Sequence, residues 1–163
     1  PIFSISIAFS VSGGIRVGIV LQPMTGELFV AVNNKGAWLN GRSICVSEAP
    51  RLSEALLVPG FPYDVKTNSR PYMARFEKML NAARGIRRLG SAAVDLCYVA
   101  CGRFDGFWEE HLQPWDTAAG FLIAAEAGAK ITDFSGDAYA IEKPEILATN
   151  RHIHDEMRTI LNE

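Results

Sequence analysis

The chain has 163 residues, 48% of them hydrophobic, and a formal net charge of −2. That is the length of one domain, with enough apolar material for a sizeable core, and its charge leaves no basic footprint of general nucleic-acid binding. No apolar run approaches the roughly 20 residues of a membrane-spanning helix, and no basic stretch followed by an apolar core marks a secretory signal. Three cysteines, an odd number, read as reduced thiols of a cytoplasmic protein. Cys97 and Cys101 share a predicted helical face, but the other ligands of a thiolate zinc site are not evident, so buried thiols are expected.

Taken in order, the chain opens on alternation. Phe3, Ile5, Ile7, Phe9 and Val11 alternate with Ser4, Ser6, Ala8, Ser10 and Ser12. Period two predicts a strand with one large face and one small face, and the small face lets a helix approach closely. Gly13-Gly14 is the predicted hairpin turn, with a return strand over 15–21. Further strands are expected over 28–32, 37–39 and 44–46, with Asn40-Gly41 as a strong two-residue turn. This start is an antiparallel meander.

After Val46 the pattern changes. A polar connector over 47–54 leads to a short buried strand at 55–58, which Pro59-Gly60-Phe61-Pro62 breaks. An exposed loop is expected over 64–69. Tyr72, Phe76, Met79, Leu80 and Ala83 then follow helical spacing. Arg84, Arg87 and Arg88 form a basic cluster, either a solvated face or an attractor for an anionic substrate. A helix is predicted over 92–101, with Ser91 as N-cap and Gly102 as its stop. Its first turn offers free N–H groups to a polar ligand, and Asp95 on it carries no assigned role. A strand over 103–108 delivers Glu109. Strands over 130–134 and 146–148 and a last helix after Asn150, burying Ile153, Met157, Ile160 and Leu161, complete the chain.

The stretch that organises the rest runs from Phe107 to Ala129, FWEEHLQPWDTAAGFLIAAEAGA. Pro114 suits a first helical turn and Gly128 a helix stop. Between Thr117 and Ala127 every residue except Glu126 is apolar or small, the mark of a buried helix. Asp116 lies in its first turn, where free N–H groups and the helix dipole favour the ionised carboxylate. Such a carboxylate either caps the helix or serves as a metal ligand, and spacing alone favours the cap. His111 has no identified nucleophile partner, and His152 and His154 do not share a helical face, so none is read as a base or ligand.

WDTAAGFLIAAEAGA resembles the C-terminal signature of the inositol monophosphatase family, W-D-x-A-x-G, an apolar run, then E-A-G-G, with Ala129 in place of the last glycine. RRLGSAAVDLCYVACGRFDGFWE is similar to the family's preceding segment, and Asn40-Gly41 to the N-G of its G-A-x-x-N-G element. The resemblance implies a layered α/β sandwich like that of the sugar phosphatases and fructose-1,6-bisphosphatase. It implies hydrolysis of a phosphate monoester with bound Mg2+, inositol monophosphate by default, and a homodimer. By position Asp116 is a magnesium ligand, Glu109 contacts substrate hydroxyls, and Gly90, Ser91 and Ala92 lie beside the substrate ring. The family's D-P-x-D-G-T motif, which carries most metal ligands and the threonine that helps activate water, does not occur here. In relatives it stands shortly before a segment like Pro1-Ile2-Phe3. The expectation is therefore one domain over 1–163 that is the C-terminal part of a longer enzyme, with the remaining catalytic residues upstream of Pro1. Fructose 1,6-bisphosphate and 3′-phosphoadenosine 5′-phosphate are rival substrates. A regulatory interaction protein of the same fold is the rival class, since some bacterial relatives are RNA-associated regulators.

Overall fold

The structure, a computed structural model, describes residues 2–63 and 65–163. Strands β1 (Ile5–Val11), β2 (Gly14–Gln22), β3 (Glu27–Val32), β4 (Gly36–Leu39) and β5 (Arg42–Ser43) form an antiparallel meander in chain order. The first turn is Ser12-Gly13, not Gly13-Gly14. Val11 pairs with Gly14, and Ser12 and Gly13 take φ of 51° and 78°. Two positive φ values match the twist of the flanking strands, and the serine accepts one of them. Asn40-Gly41 turns the same way, with φ of 48° and 79°, and the Leu28 N–H donates to Asn40 Oδ1 at 2.8 Å. The expected strand over 44–46 is instead the short β5, which begins two residues earlier, directly after the Asn40-Gly41 turn. Position 64 of the predicted loop lies outside the described residues, and Ser69 already opens a helix.

The second sheet is built from β6 (Leu56–Pro59), β7 (Gly85–Ile86), β8 (Gly106–Glu110), β9 (Lys130–Thr132) and β10 (Glu145–Thr149) in the order β7-β6-β8-β10-β9. β6 runs parallel to β7 and β8, and the other pairs are antiparallel. Helices α2 (Ala92–Ala100) and α3 (Pro114–Glu126) fill the space between the sheets. Helices α1 (Ser69–Ala82) and α4 (His154–Asn162) cover the far side of the second sheet, over a core of Leu57, Met79, Leu147, Ile153 and Met157. The layered α/β sandwich is the observed architecture.

Small residues set the spacing of these layers. A side chain on Gly18 of β2 would put its first carbon 2.7 Å from the Ala119 carbonyl oxygen, and one on Gly120 would come 2.9 Å from Leu96 Cβ. The glycine of the W-D-x-A-x-G pattern is therefore what lets α3 lie against α2. Ser6, Ala8 and Ser10, the small face of β1, border Pro114, Ala118 and Ala119 of α3, as the alternation requires. The large face, with Ile5, Ile7 and Phe9, is exposed on the outer side.

Candidate active site

The carboxyl end of β8 and the amino ends of α2 and α3 meet at a partly open cavity of about 440 Å³, bordered also by Ile2, Phe3, Ser4 and Ser6 and by residues 61–63. All five residues singled out from the sequence, Gly90, Ser91, Ala92, Glu109 and Asp116, line it.

β8 delivers Glu109 through its pairing with Ile146 of β10. Its side chain is only 7% exposed. Burial pushes the carboxyl up to about 8, against the opposing pull of Arg88, with Asp95 and Asp116 raising it further. The acid is therefore mostly neutral near pH 7 and can donate as well as accept a hydrogen bond. Gly60, at the end of β6, makes this position possible. A Cβ at residue 60 would lie 1.8 Å from the Glu109 carboxyl carbon.

Asp116 is the third residue of α3. Its Oδ2 accepts the Gln113 N–H at 3.0 Å, so it caps the helix. It also lines the cavity, so capping and facing a ligand are not exclusive. Trp115 beside it is 71% exposed at the rim rather than set among apolar residues. At α2, Ser91 occupies the N-cap position, but its hydroxyl caps no helix N–H and lies 3.4 Å from the Ser4 hydroxyl. Gly90 takes φ of 100°, with Arg88 Nη1 3.0 Å from the point its Cβ would occupy.

Two functional candidates, Gly60 and Asp95, were not legible in the sequence, and a third, Arg88, was legible only as a member of a basic cluster. Gly60 reads there only as a strand breaker. Arg88 is one of three arginines, yet among the described residues it is the one that lines the cavity, with its guanidinium 5.8 Å from the Phe61 ring. Asp95 is 1% exposed, and among the described residues neither of its carboxylate oxygens has a hydrogen-bond partner. The sequence assigns Asp95 no role, and nothing in it shows that the carboxylate is enclosed.

Among the described residues no three His, Cys, Asp or Glu side chains gather into a metal cluster. Of the two thiols expected to be buried, Cys97 is and Cys101 is only half-buried; His154 is fully buried.

A sequence profile described as the inositol monophosphatase family matches residues 1–163. The chain belongs to the inositol monophosphatase family. It is 40% identical over 161 residues to an inositol-1-monophosphatase of Rhizobium meliloti (strain 1021), covering 99% of this chain and 60% of that protein. It is 42% identical to Nus factor SuhB of Escherichia coli (strain K12), covering 94% of this chain and 57% of that one. The solved inositol monophosphatase from Anabaena (Nostoc) sp. PCC 7120 superposes with a TM-score of 0.95 at 41% identity, over 99% of this chain and 64% of that one. This member of the inositol monophosphatase family thus spans less than two thirds of these relatives.

Proposed function

We propose that the full-length protein hydrolyses phosphate monoesters of polyols, inositol monophosphate first among them, in a Mg2+-dependent reaction. The observation that carries this reading is the shared cavity. A carboxyl suited to hydroxyl recognition (Glu109), a carboxylate fixed at a helix start (Asp116) and the open first turn of α2 face one space. A polyol ring offers hydroxyls to Glu109 and to the α2 amides, while its phosphate end would lie toward Asp116.

Magnesium takes hard oxygen ligands and keeps several waters. Asp116 fits as one such ligand, and the described residues supply no complete set around it. When bound, Mg2+ would polarise the phosphate and lower the pKa of a bound water. The chain's own residues hold and orient the substrate: Glu109 exchanges hydrogen bonds with its hydroxyls, and the capping bond from Gln113 keeps Asp116 still.

The test is phosphate release from myo-inositol 1-phosphate by the full-length protein, with and without Mg2+. Asp116→Asn keeps the shape and removes the charge. We expect it to lower kcat by about 100-fold or more, the scale of a lost charge-stabilising group. Turnover near that of the wild type would refute the role. The reading also includes a homodimer in the cytoplasm, checked by light scattering and by fractionation.

The relatives named Nus factor SuhB favour a second reading, a regulatory protein of the transcription machinery. Co-purification of such partners with both wild type and the Asp116→Asn variant, without phosphate release by the wild type, would select it.

A further inference from the structure

A serine at a helix N-cap ordinarily accepts an N–H of the first turn and so stabilises the helix. Ser91 forgoes that bond. Its hydroxyl lies instead 3.4 Å from the hydroxyl of Ser4, the residue directly before β1. Both residues are half-buried, and both line the cavity that holds Glu109 and Asp116. The contact joins the first sheet to α2 across 87 positions of sequence, so no local chain geometry imposes it. Nor does the packing of β1 on α3 call for a hydroxyl there. Ser6, Ala8 and Ser10 border Pro114, Ala118 and Ala119, whereas Ser4 borders the cavity. A separation of 3.4 Å exceeds the roughly 2.7–2.8 Å of a well-formed O–H···O bond, so little is lost when the pair opens. A single mutual bond also leaves one O–H and several lone pairs of the two hydroxyls uncommitted.

We propose that Ser4 is a specificity-determining residue: with Ser91 it forms a hydroxyl pair on the cavity wall that takes one hydroxyl of the polyol, one serine donating to it and the other accepting from it. The inference rests on the polyol-phosphate reading above. The chemistry of the pair selects this ligand group. A neutral donor beside a neutral acceptor matches an alcohol, which itself donates and accepts, whereas ionised phosphate oxygens only accept. Glu109 reads hydroxyls elsewhere in the same cavity. Two separate hydroxyl readers in one cavity fix the orientation of the ring, and so which of its positions can carry the phosphate toward Asp116. A serine kept only to tie β1 to α2 would contribute to stability and not to the choice among substrates.

The test uses the full-length protein, Mg2+, myo-inositol 1-phosphate and a series of its monodeoxy analogues, with steady-state kinetics, calorimetric binding and thermal melting. Ser4→Ala removes the hydroxyl and keeps the small side chain. It should raise KM and the calorimetric Kd for the parent ester about threefold to tenfold, the scale of one neutral hydrogen bond, and leave kcat within about twofold. The melting temperature should not fall, because Ser91 is then released to cap α2. Ser4→Thr keeps the hydroxyl and should restore the wild-type KM. One monodeoxy analogue, the one lacking the hydroxyl that the pair takes, should bind wild type and Ser4→Ala equally, while the others lose the same factor as the parent. An unchanged Kd in Ser4→Ala, or the same weakening for every analogue, would overturn the proposal. A wild type that binds the ester without releasing phosphate would fail the hydrolytic reading alone, and the Kd comparison would still decide the role of Ser4. A wild type that neither binds nor hydrolyses it would fail both.

Discussion

The Glu109 carboxyl occupies the space that any side chain at residue 60 would fill. Gly60 is not in a left-handed conformation, so Gly60→Ala is compatible with the backbone, and the nearest group its methyl meets is the Glu109 carboxyl. We expect it to expel the carboxyl from its seat, raising KM for a polyol phosphate by about tenfold while circular dichroism stays unchanged. An unaltered KM would show that Glu109 has another place to lie. Glu109→Gln separates position from charge. It keeps a hydrogen-bonding group in the seat, so it should change the ranking of polyol phosphates, read from kcat/KM across a substrate series, more than the Mg2+ requirement. That Glu109 and Asp116 share one cavity was legible because one run of sequence carries both and resembles the family's signature. Gly60 escaped because its partner is distant along the chain, and Asp95 because the absence of a partner has no sequence signature.

Among the elements, α3 binds the two ends of the site's scaffold together. Its first turn presents Asp116, and its last turn ends with the Gly128 N–H donating to Ala125 O and the Ala129 N–H to Ala124 O. Glu126, the polar exception in the helix, accepts the Asn34 and Gly36 N–H groups at 2.7 and 2.8 Å and so ties α3 to the turn between β3 and β4. Its helix was readable from the apolar run and from Pro114 and Gly128, whereas β7, two residues long, has no periodicity to read. At the start of α4, His154 is fully buried between the Thr132 and Thr149 hydroxyls at 3.0 and 2.9 Å. Desolvation, helped by Lys130, lowers its pKa to about 4 from an ordinary 6.5. The folded chain thus refuses a proton that the unfolded chain accepts. Stability from this residue is complete above pH 6.5 and is lost as the pH falls toward 4, by about 2–3 kcal/mol. Urea melts of wild type and His154→Gln at pH 7, 5.5 and 4 should converge as the pH falls. A constant gap between them would exclude the histidine as the cause.

At the scale of the whole molecule the two ends of the second sheet divide the work. The cavity lies at the carboxyl end of β8, where Glu109 emerges, and a polar clasp lies at its amino end. There the Asp105 carboxylate accepts the Ser47 hydroxyl at 2.5 Å and the Leu56 N–H at 2.6 Å, and its carbonyl accepts the Asn150 N–H at 2.9 Å. Asn150 Nδ2 donates to Ser47 Oγ and to the Ala49 carbonyl, so the connector between the sheets is fastened to β6, β8 and β10 together. The meander of the first sheet was legible because alternation and Asn-Gly turns are local signals. The order of the second sheet was not, because parallel partners far apart in sequence leave no local trace. The polar connector gave no sign of the clasp, since its serine and alanine look like ordinary loop residues until Asp105 is brought beside them. Asp105→Ala takes the acceptor from the half-buried Ser47 hydroxyl and from the Leu56 N–H, so two hydrogen bonds to an acidic group are lost. The expected cost is about 2–4 kcal/mol of unfolding free energy, measured by urea titration. Because the clasp and the cavity sit at opposite ends of β8, KM of the folded fraction should hold within about twofold, as expected for independent sites. Destabilisation with unchanged KM would establish the division of labour; a parallel loss of substrate affinity would show that the connector transmits strain along β8 into the site.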